Sequence, residues 1–336
     1  MRKIDVFNHI FPKRYVDRMS ELAGTMKDVG KRVRGVPMLV DLDVRFEVMD
    51  AHPEYQQILS VATPPVDAYA NLDDAVDLAQ RGNDGMAELV QRYPERFPGF
   101  IASLPMNDVD AAMRELERSM DALNARGIQL CSNVQGKPLD LPAYQPIFAA
   151  MAARDFPIWL HPYRSATMAD YATEDRSLYE IWWTLGWPYE SSVAMSRLVF
   201  SGMFDRYPDL KVITHHMGGM IPYFEGRVGP GWDQLGARTS DRDYTKLLKE
   251  LKKRPLDYFK MFYADTALFG AYDATVCGLR FFGVDQVLFA SDAPFDPQGG
   301  RQYIRDTIDI VDRLPITTEE RERIYWRNAA RLLKLD

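Results

Sequence analysis

The sequence contains only two cysteines, Cys131 and Cys277, among 336 residues. Two cysteines cannot form the disulfide framework of a secreted scaffold, so a reducing cytoplasm is the simplest setting. The first residues, MRKIDVFNH, lack the apolar core of a secretory signal, because Asp5 interrupts them early. No apolar run approaches the roughly 18 residues that a membrane helix needs. We therefore expect a cytoplasmic protein without a membrane span.

An excess of basic charge is also missing. The chain has 41 Lys and Arg residues against 48 Asp and Glu residues, which gives a net charge of −7. This balance offers no general attraction to nucleic acid or to an anionic membrane; net charge does not exclude a local basic pocket. Internal repeats, low-complexity tracts and dinucleotide or Walker fingerprints are absent as well. A small molecule is the expected partner.

What the sequence does contain is a repeated alternation of strand and helix patterns. The candidate strands are short, rich in β-branched and aromatic residues, and too apolar to have one face in water, which is typical of parallel strands buried on both sides. They are residues 3–9, 57–63, 98–104, 127–131, 157–161, 211–216, 259–265 and 286–292. Helical patterns lie between most of them, at 72–93, 108–126, 142–155, 177–187, 191–207 and 318–333. We predict a single domain over residues 1–336, a (β/α)8 TIM barrel; an open doubly wound sheet is the alternative.

Three connections are too long for plain barrel turns. They cover residues 10–56, 162–190 and 217–258, and they follow strands one, five and six. Each of these strands ends in histidine. In a barrel such insertions lie on the catalytic face, where they form the walls of the substrate site.

The few histidines occupy informative positions. His9 ends strand one, His161 ends strand five and His216 ends strand six, while Asp292 ends strand eight. The carboxyl ends of parallel strands meet at one mouth of a barrel, so these side chains should converge. Two imidazoles and a carboxylate are suitable ligands for Zn²⁺ and leave a coordination position open for water or substrate. A single histidine at a strand end would more often make a structural hydrogen bond, but the joint placement favours a site.

The other two histidines are expected to have no catalytic role. His52 precedes strand two and should lie in a solvated loop. His215 is the neighbour of His216, and alternate side chains of a strand point to opposite faces. We therefore expect that one of the pair faces the barrel interior and that His215 points towards a surrounding helix.

Two arginines and a group of aromatic residues are further candidates. Arg45 and Arg227 lie in the insertions after strands one and six, and a guanidinium is a natural clamp for a substrate carboxylate. A surface ion pair is the alternative for each of them. The insertion after strand five carries four aromatic residues that either line a pocket or form the core face of a helix: Trp182, Trp183, Trp187 and Tyr189.

Segments along the whole chain carry a family resemblance. They are IDVFNHIFP (4–12), VRFEVMD (44–50), GIQLCSNVQGKPLD (127–140), PIWLHP (157–162), the long block 186–228, FYADT (262–266) and VLFASDAPF (287–295). In these segments the chain resembles the amidohydrolase-2 family, of which aminocarboxymuconate-semialdehyde decarboxylase is the best-known type. The resemblance implies a metal-dependent barrel that performs non-oxidative decarboxylation of a small unsaturated or aromatic carboxylate. Hydrolases and hydratases are related members and provide the alternative activity.

The resemblance also implies residue roles. His9, His161 and Asp292 match metal ligands, and His216 matches the histidine that acts as acid and base beside the metal. Asp292 is therefore expected to serve both the metal and catalysis, and the divalent ion is expected to be zinc, with manganese as an alternative.

The two arginines also match positions of the family. Arg45 is similar to the arginine that binds the substrate carboxylate. Arg227 is similar to an arginine that reaches the site of the neighbouring subunit, which implies a homodimer.

One position departs from the family pattern. Phe7 stands where the opening motif D-x-H-x-H has its first histidine, or where some aromatic-acid decarboxylases have glutamate, and phenylalanine cannot bind a metal. One hypothesis is that His9, His161 and Asp292 still hold the ion. The others are a metal-free acid–base site of His161, His216 and Asp292, an iron site for oxygen chemistry, and a barrel that binds a ligand without turnover.

Overall fold

Eight parallel strands form the centre of the molecule. The computed structural model describes residues 1–22, 31, 35–68 and 70–335. All eight candidate strands are confirmed, with shorter bounds at several ends. The strands are β1 (Lys3–Ile10), β2 (Tyr55–Val61), β3 (Gly99–Phe100 and Ala102–Ser103), β4 (Ile128–Cys131), β5 (Ile158–His161), β6 (Val212–Thr214), β7 (Tyr263–Asp265) and β8 (Val287–Leu288).

The strands close into a barrel. Each strand from β1 to β8 pairs in parallel with the next one along the chain. The residues that follow β8 return to β1 through backbone hydrogen bonds: the N–H of Asp292 donates to the carbonyl of Phe7 (3.0 Å), and the N–H of His9 donates to the carbonyl of Ala293 (2.8 Å). The (β/α)8 barrel is thereby confirmed, and the open sheet is excluded.

Helices surround the strands. They are α1 (Lys13–Leu22), α2 (Leu42–Asp50), α3 (Leu72–Arg92), α4 (Val109–Glu117), α5 (Gln145–Arg154), α6 (Ile181–Thr184), α7 (Gly186–Phe200), α8 (Met203–Arg206), α9 (Thr245–Glu250), α10 (Pro255–Phe259), α11 (Tyr272–Phe282), α12 (Arg301–Arg313), α13 (Thr318–Glu322) and α14 (Asn328–Leu333). Several begin at a polar cap that accepts backbone N–H bonds: Asp41 caps α2, Asn71 caps α3 and Asp108 caps α4.

Helices form within all six predicted helical segments, but several of their bounds differ from the prediction. The predicted helix 177–187 was wrong at its start, because the first helical turn begins at Ile181. The predicted helix 191–207 is two helices, and the first of them, α7, already begins at Gly186 and accommodates Pro188 in its first turn. Helices α11 and α12 were not anticipated at all. None of the described helices is long and apolar enough to cross a membrane.

A layer of apolar side chains closes the barrel beneath its carboxyl end. Strand residues, among them Val6, Phe7, Ile58 and Leu288, are completely buried and form one cluster with Leu333 of α14. The indole N–H of Trp159 donates to the carbonyl of Val6 (3.1 Å), which satisfies the polar atom of the largest ring in this layer. Phe7 therefore lies where the apolar layer meets the polar strand ends.

Candidate metal centre

Five ionisable side chains converge where the strands end. The Nε2 atom of His9 lies 3.0 Å from Oδ1 of Asp292, and Nε2 of His216 lies 3.4 Å from Oδ2 of the same carboxylate. The ligand atoms of His9, His161 and His215 lie within 4.8 Å of one another, and those of His215, His216 and Asp292 form a second group of the same size. All five residues are buried. The barrel thus brings together the predicted site residues from β1, β5, β6 and β8.

The rings of three histidines are held through their Nδ1 atoms. Nδ1 of His9 contacts Oγ of Ser60 (3.0 Å), whose own proton goes to the carbonyl of Asn8 (2.7 Å). Nδ1 of His161 donates to the carbonyl of Pro162 (2.6 Å). With Nδ1 engaged, Nε2 is the ring atom left to bind a metal, and such outer hydrogen bonds are usual for histidine ligands.

The third ring is held by a carboxylate. Nδ1 of His215 lies 2.5 Å from Oδ2 of Asp265. Oδ1 of Asp265 accepts the backbone N–H of His216 (3.0 Å) and of Ala267 (3.1 Å), so this completely buried side chain is fully engaged. Asp265 therefore connects the end of β7 to the turn after β6.

Burial and mutual charge shift the pKa values of the cluster. Burial lowers the pKa of His161 well below its ordinary value, and the nearby His215 and His9 lower it further. Burial and the charge of His215 also lower the pKa of His216. Burial also lowers the pKa of His215, but the negative charges of Asp265 and Asp292 outweigh the effect of burial. They raise the pKa of His215 to about 9. His161 and His216 are consequently neutral near pH 7, the form in which imidazole binds metals.

Asp292 shows the opposite balance. Burial alone would raise its pKa, but the charge of His215 and hydrogen bonds from His216 and His9 together hold the pKa well below the ordinary value. The carboxylate is therefore ionised at the centre of the imidazole cluster, as a metal ligand must be.

The backbone is unusual at two of these positions. His216 has φ 53° and Asp292 has φ 60°, both in the left-handed region that non-glycine residues seldom adopt. Residues in such conformations persist only where their surroundings hold them, and they concentrate at functional sites. Asp5 provides part of that support after β8, since its Oδ1 accepts the N–H of Ser291 (3.1 Å).

The expected orientation of His215 was wrong. The prediction rested on strand alternation, but β6 ends at Thr214, and His216 turns into the left-handed region directly after the extended His215. Because the alternation stops there, both rings face the site, with centroids 3.8 Å apart. His52 precedes β2 at the other end of the barrel and is half-buried rather than freely solvated.

Arg45 was expected to bind the substrate carboxylate, but its guanidinium is enclosed by the protein. This side chain is completely buried, and its guanidinium donates to the side chains of Gln57 (2.6 Å) and Asn8 (3.2 Å) and to the carbonyls of Met38 (3.1 Å) and His9. A guanidinium surrounded by these acceptors supports the end of β1 from behind. Arg227, in contrast, is exposed beyond β6 and is not part of the cluster within this chain.

Aromatic rings surround the polar cluster. Trp187 is buried and its ring lies edge-on to His161, with centroids 5.5 Å apart. Phe269 lies at 5.4 Å from the ring of His216, and Phe295 at 5.5 Å from the ring of His9. Of the aromatic residues predicted after β5, Trp187 thus contacts the site, and Trp182 packs on Trp187 (5.7 Å).

The other two members of that aromatic group do not contact the cluster. Trp183 donates its indole N–H to Glu180 (2.9 Å), and Tyr189 is exposed. The pocket-wall interpretation thus fits Trp187, whereas exposed Tyr189 fits neither interpretation.

Asp265 was missed although the sequence contained a signal for it. It ends β7, as His161 ends β5, and it lies in the segment YAD at the same barrel mouth. Treating every ionisable residue at a strand end alike would have included it.

The geometry defines a class of protein: a (β/α)8 barrel with a buried histidine and aspartate cluster, suited to a divalent metal, at the carboxyl ends of its strands. The sequence specifies the family. Residues 4–335 match the family described as Amidohydrolase. The chain belongs to this family.

Named relatives cover most of the chain. It is 34% identical over 306 residues to a gamma-resorcylate decarboxylase of Polaromonas sp., with 89% of each sequence covered. It is 30% identical over 350 residues to a 2-amino-3-carboxymuconate-6-semialdehyde decarboxylase of Dictyostelium discoideum, with 99% of this chain and 92% of the relative covered. The family resemblance read from the sequence is thereby confirmed.

A solved decarboxylase structure has a similar fold and contains a divalent metal. The dihydroxybenzoic acid decarboxylase of Polaromonas sp., with bound manganese and the inhibitor 2-nitroresorcinol, superposes with a TM-score of 0.79 at 30% identity, over 99% of this chain and 97% of that one. A divalent metal is therefore supported for this fold, and the neighbour's ligand is a small aromatic molecule.

Proposed function

We propose that this protein is a metal-dependent, non-oxidative decarboxylase of a small aromatic carboxylate. One observation carries the proposal: His9, His161 and Asp292 converge at the barrel mouth, with His216 beside the same carboxylate. The relatives named above are decarboxylases, and the solved one contains manganese. A metal-dependent decarboxylation needs a metal site and a proton donor at one place. This cluster offers both.

The donor set fits a divalent ion. His9 and His161 present Nε2, because their Nδ1 atoms are engaged elsewhere, and Asp292 is ionised. Two imidazoles and one carboxylate suit zinc and leave positions open, whereas the solved neighbour contains manganese. We propose zinc, with manganese as the alternative that metal analysis would reveal. A bound ion would supply positive charge that orients the ionised substrate and polarises it.

The chain's own residues supply the proton. Decarboxylation breaks the bond between the ring carbon and the carboxylate carbon, leaves the electron pair on the ring, and releases CO₂. A proton then forms a C–H bond at that carbon, so no oxidant is needed. His216 is placed to deliver it, since its neutral ring borders Asp292 and can pass on a proton taken from water.

The walls of the site favour a planar substrate. Trp187, Phe269 and Phe295 each lie within about 5.5 Å of a histidine of the cluster, measured between ring centroids. Flat apolar surfaces of this kind bind an aromatic ring and exclude water. We propose a hydroxybenzoate-like acid as the substrate class.

We also propose a homodimer in which the partner subunit's Arg227 reaches the site and binds the substrate carboxylate. Arg227 is exposed and lies in the insertion after β6. Exposed large apolar residues are concentrated in the same region, at Tyr171, Leu178, Tyr179, Leu185, Tyr189 and Tyr223. Helix α7, which begins within the insertion after β5, packs on the insertion after β6, since Ser192 Oγ accepts the N–H of Met220 (2.8 Å). A second copy of this chain would cover this surface.

The direct test is anaerobic CO₂ release from a panel of hydroxybenzoates, 2,6-dihydroxybenzoate among them. We expect turnover without O₂, and a loss of about 10²- to 10⁴-fold in kcat for His216→Asn at unchanged metal content. His52→Asn, outside the site, should keep wild-type kcat. Ester, amide or lactone cleavage without CO₂ release would instead identify a hydrolase, and ligand binding without turnover would identify a binding barrel.

A further inference from the structure

The ring of His215 presents a buried nitrogen without a hydrogen bond. Its Nε2 lies 3.3 Å from Oδ1 of Asp292 but lacks the alignment of a hydrogen bond, and within the described residues it has no other partner. A buried polar atom without a hydrogen bond destabilises the folded protein unless a ligand or ion binds it. The atom points to the place where Nε2 of His9 also meets Asp292.

Asp265 holds this ring as the outer partner of a metal ligand would. Its carboxylate accepts a hydrogen bond from Nδ1 of His215 (2.5 Å) and is itself held by two backbone N–H groups. A carboxylate on Nδ1 fixes the ring orientation and increases the basicity of Nε2, and histidine ligands commonly have such a partner. His216 lacks this support: its Nδ1 atom has no hydrogen-bond partner within the described residues.

Phe7 and His215 occupy adjoining space. Their ring centroids are 4.0 Å apart, and the ring of Phe7 also lies 5.1 Å from that of His9 and 5.6 Å from that of His161. A phenyl ring with no donor atom is therefore surrounded by three imidazoles. The ligand that position 7 cannot provide is available from the adjacent ring of His215.

We propose that His215 is a ligand of the metal, together with His9, His161 and Asp292. The inference rests on the proposed metal-dependent function and adds to it a fourth protein ligand from the end of β6. The histidine pair then has divided roles: His215 binds the ion, and His216 transfers the proton. Phe7 packs against the ligand rings and keeps them in place.

Metal binding, measured without turnover, tests this assignment. The full-length protein would be stripped with a chelator and titrated with Zn²⁺ or Mn²⁺, and the affinity read by competition with a chromophoric chelator. We expect His215→Ala to weaken binding by about 100-fold or more, and Asp265→Asn by about 10- to 100-fold. His216→Ala is the matched control one residue away and should bind within about threefold of wild type.

A rescue variant protects the test against simple misfolding. In His215→Ala with Phe7→His, the new imidazole occupies the adjoining space, and affinity should recover at least tenfold over His215→Ala alone. Visible absorption of the Co²⁺ forms would report the change in ligand set. Wild-type affinity in a folded His215→Ala protein, or loss of metal in His216→Ala instead, would overturn the assignment. A wild-type chain that binds no metal would overturn the proposed function itself.

Discussion

The negative charge of Asp292 lies among three histidine rings of the site. Its two oxygens face His9, His215 and His216 at 3.0–3.4 Å, and its backbone adopts φ 60° to place them there. A buried carboxylate is stable when charged because these rings surround it. Strained backbone conformations concentrate at functional centres, so the left-handed backbone of Asp292 supports a functional role for this residue.

Substitution of Arg45 should lower stability, whereas substitution of Arg227 should weaken substrate binding. Arg45→Ala leaves several buried acceptors without a donor, so we expect the free energy of unfolding to fall by at least about 3 kcal/mol. Arg227→Ala, at an exposed position, should leave unfolding within about 0.5 kcal/mol of wild type and raise KM. Urea unfolding and steady-state kinetics measure both. An Arg45→Ala protein of normal stability with a raised KM would show that Arg45 contacts substrate after all.

At the scale of elements, the turn after β6 depends on close packing against α7. Gly219 has φ 60°, and a Cβ at this position would lie 2.4 Å from the carbonyl oxygen of Pro188. Gly219→Ala should therefore lower the free energy of unfolding by about 2 kcal/mol or more. Gly226→Ala is the control, since nothing lies within 4 Å of its Cβ position and its φ is −65°. Equal unfolding midpoints for the two variants would contradict this account of the turn.

The elements also show what the sequence could predict. Eight apolar strands, four of which ended in a histidine or aspartate of the predicted site, were sufficient to predict the barrel and the convergence of His9, His161 and Asp292, because parallel strands end at one mouth. Strand periodicity could not predict the direction of His215, since the chain leaves the strand at that residue. Nor could it show that Arg45 is enclosed, because this depends on how α2 packs behind β1.

For the whole molecule, the proposed dimer predicts a defined response to surface charge. Leu185 is 68% exposed and Tyr223 80% exposed in the two neighbouring insertions. We expect Leu185→Asp with Tyr223→Asp to convert the dimer to a monomer in sedimentation velocity, because burying unpaired carboxylates opposes association. Turnover should fall with it if the partner subunit's Arg227 completes the site. Leu72→Asp, 39% exposed and outside this surface, is the control; a dimer retained by the double variant would place the interface elsewhere.

The central claim is that CO₂ release requires a metal held by the strand-end cluster. The most direct measurement is CO₂ release from a hydroxybenzoate by chelator-treated protein while zinc or manganese is returned in steps, with bound metal determined in each sample. We expect no turnover at the start and a linear rise that ends at about one ion per chain. Full CO₂ release from protein shown to be free of metal would contradict the account.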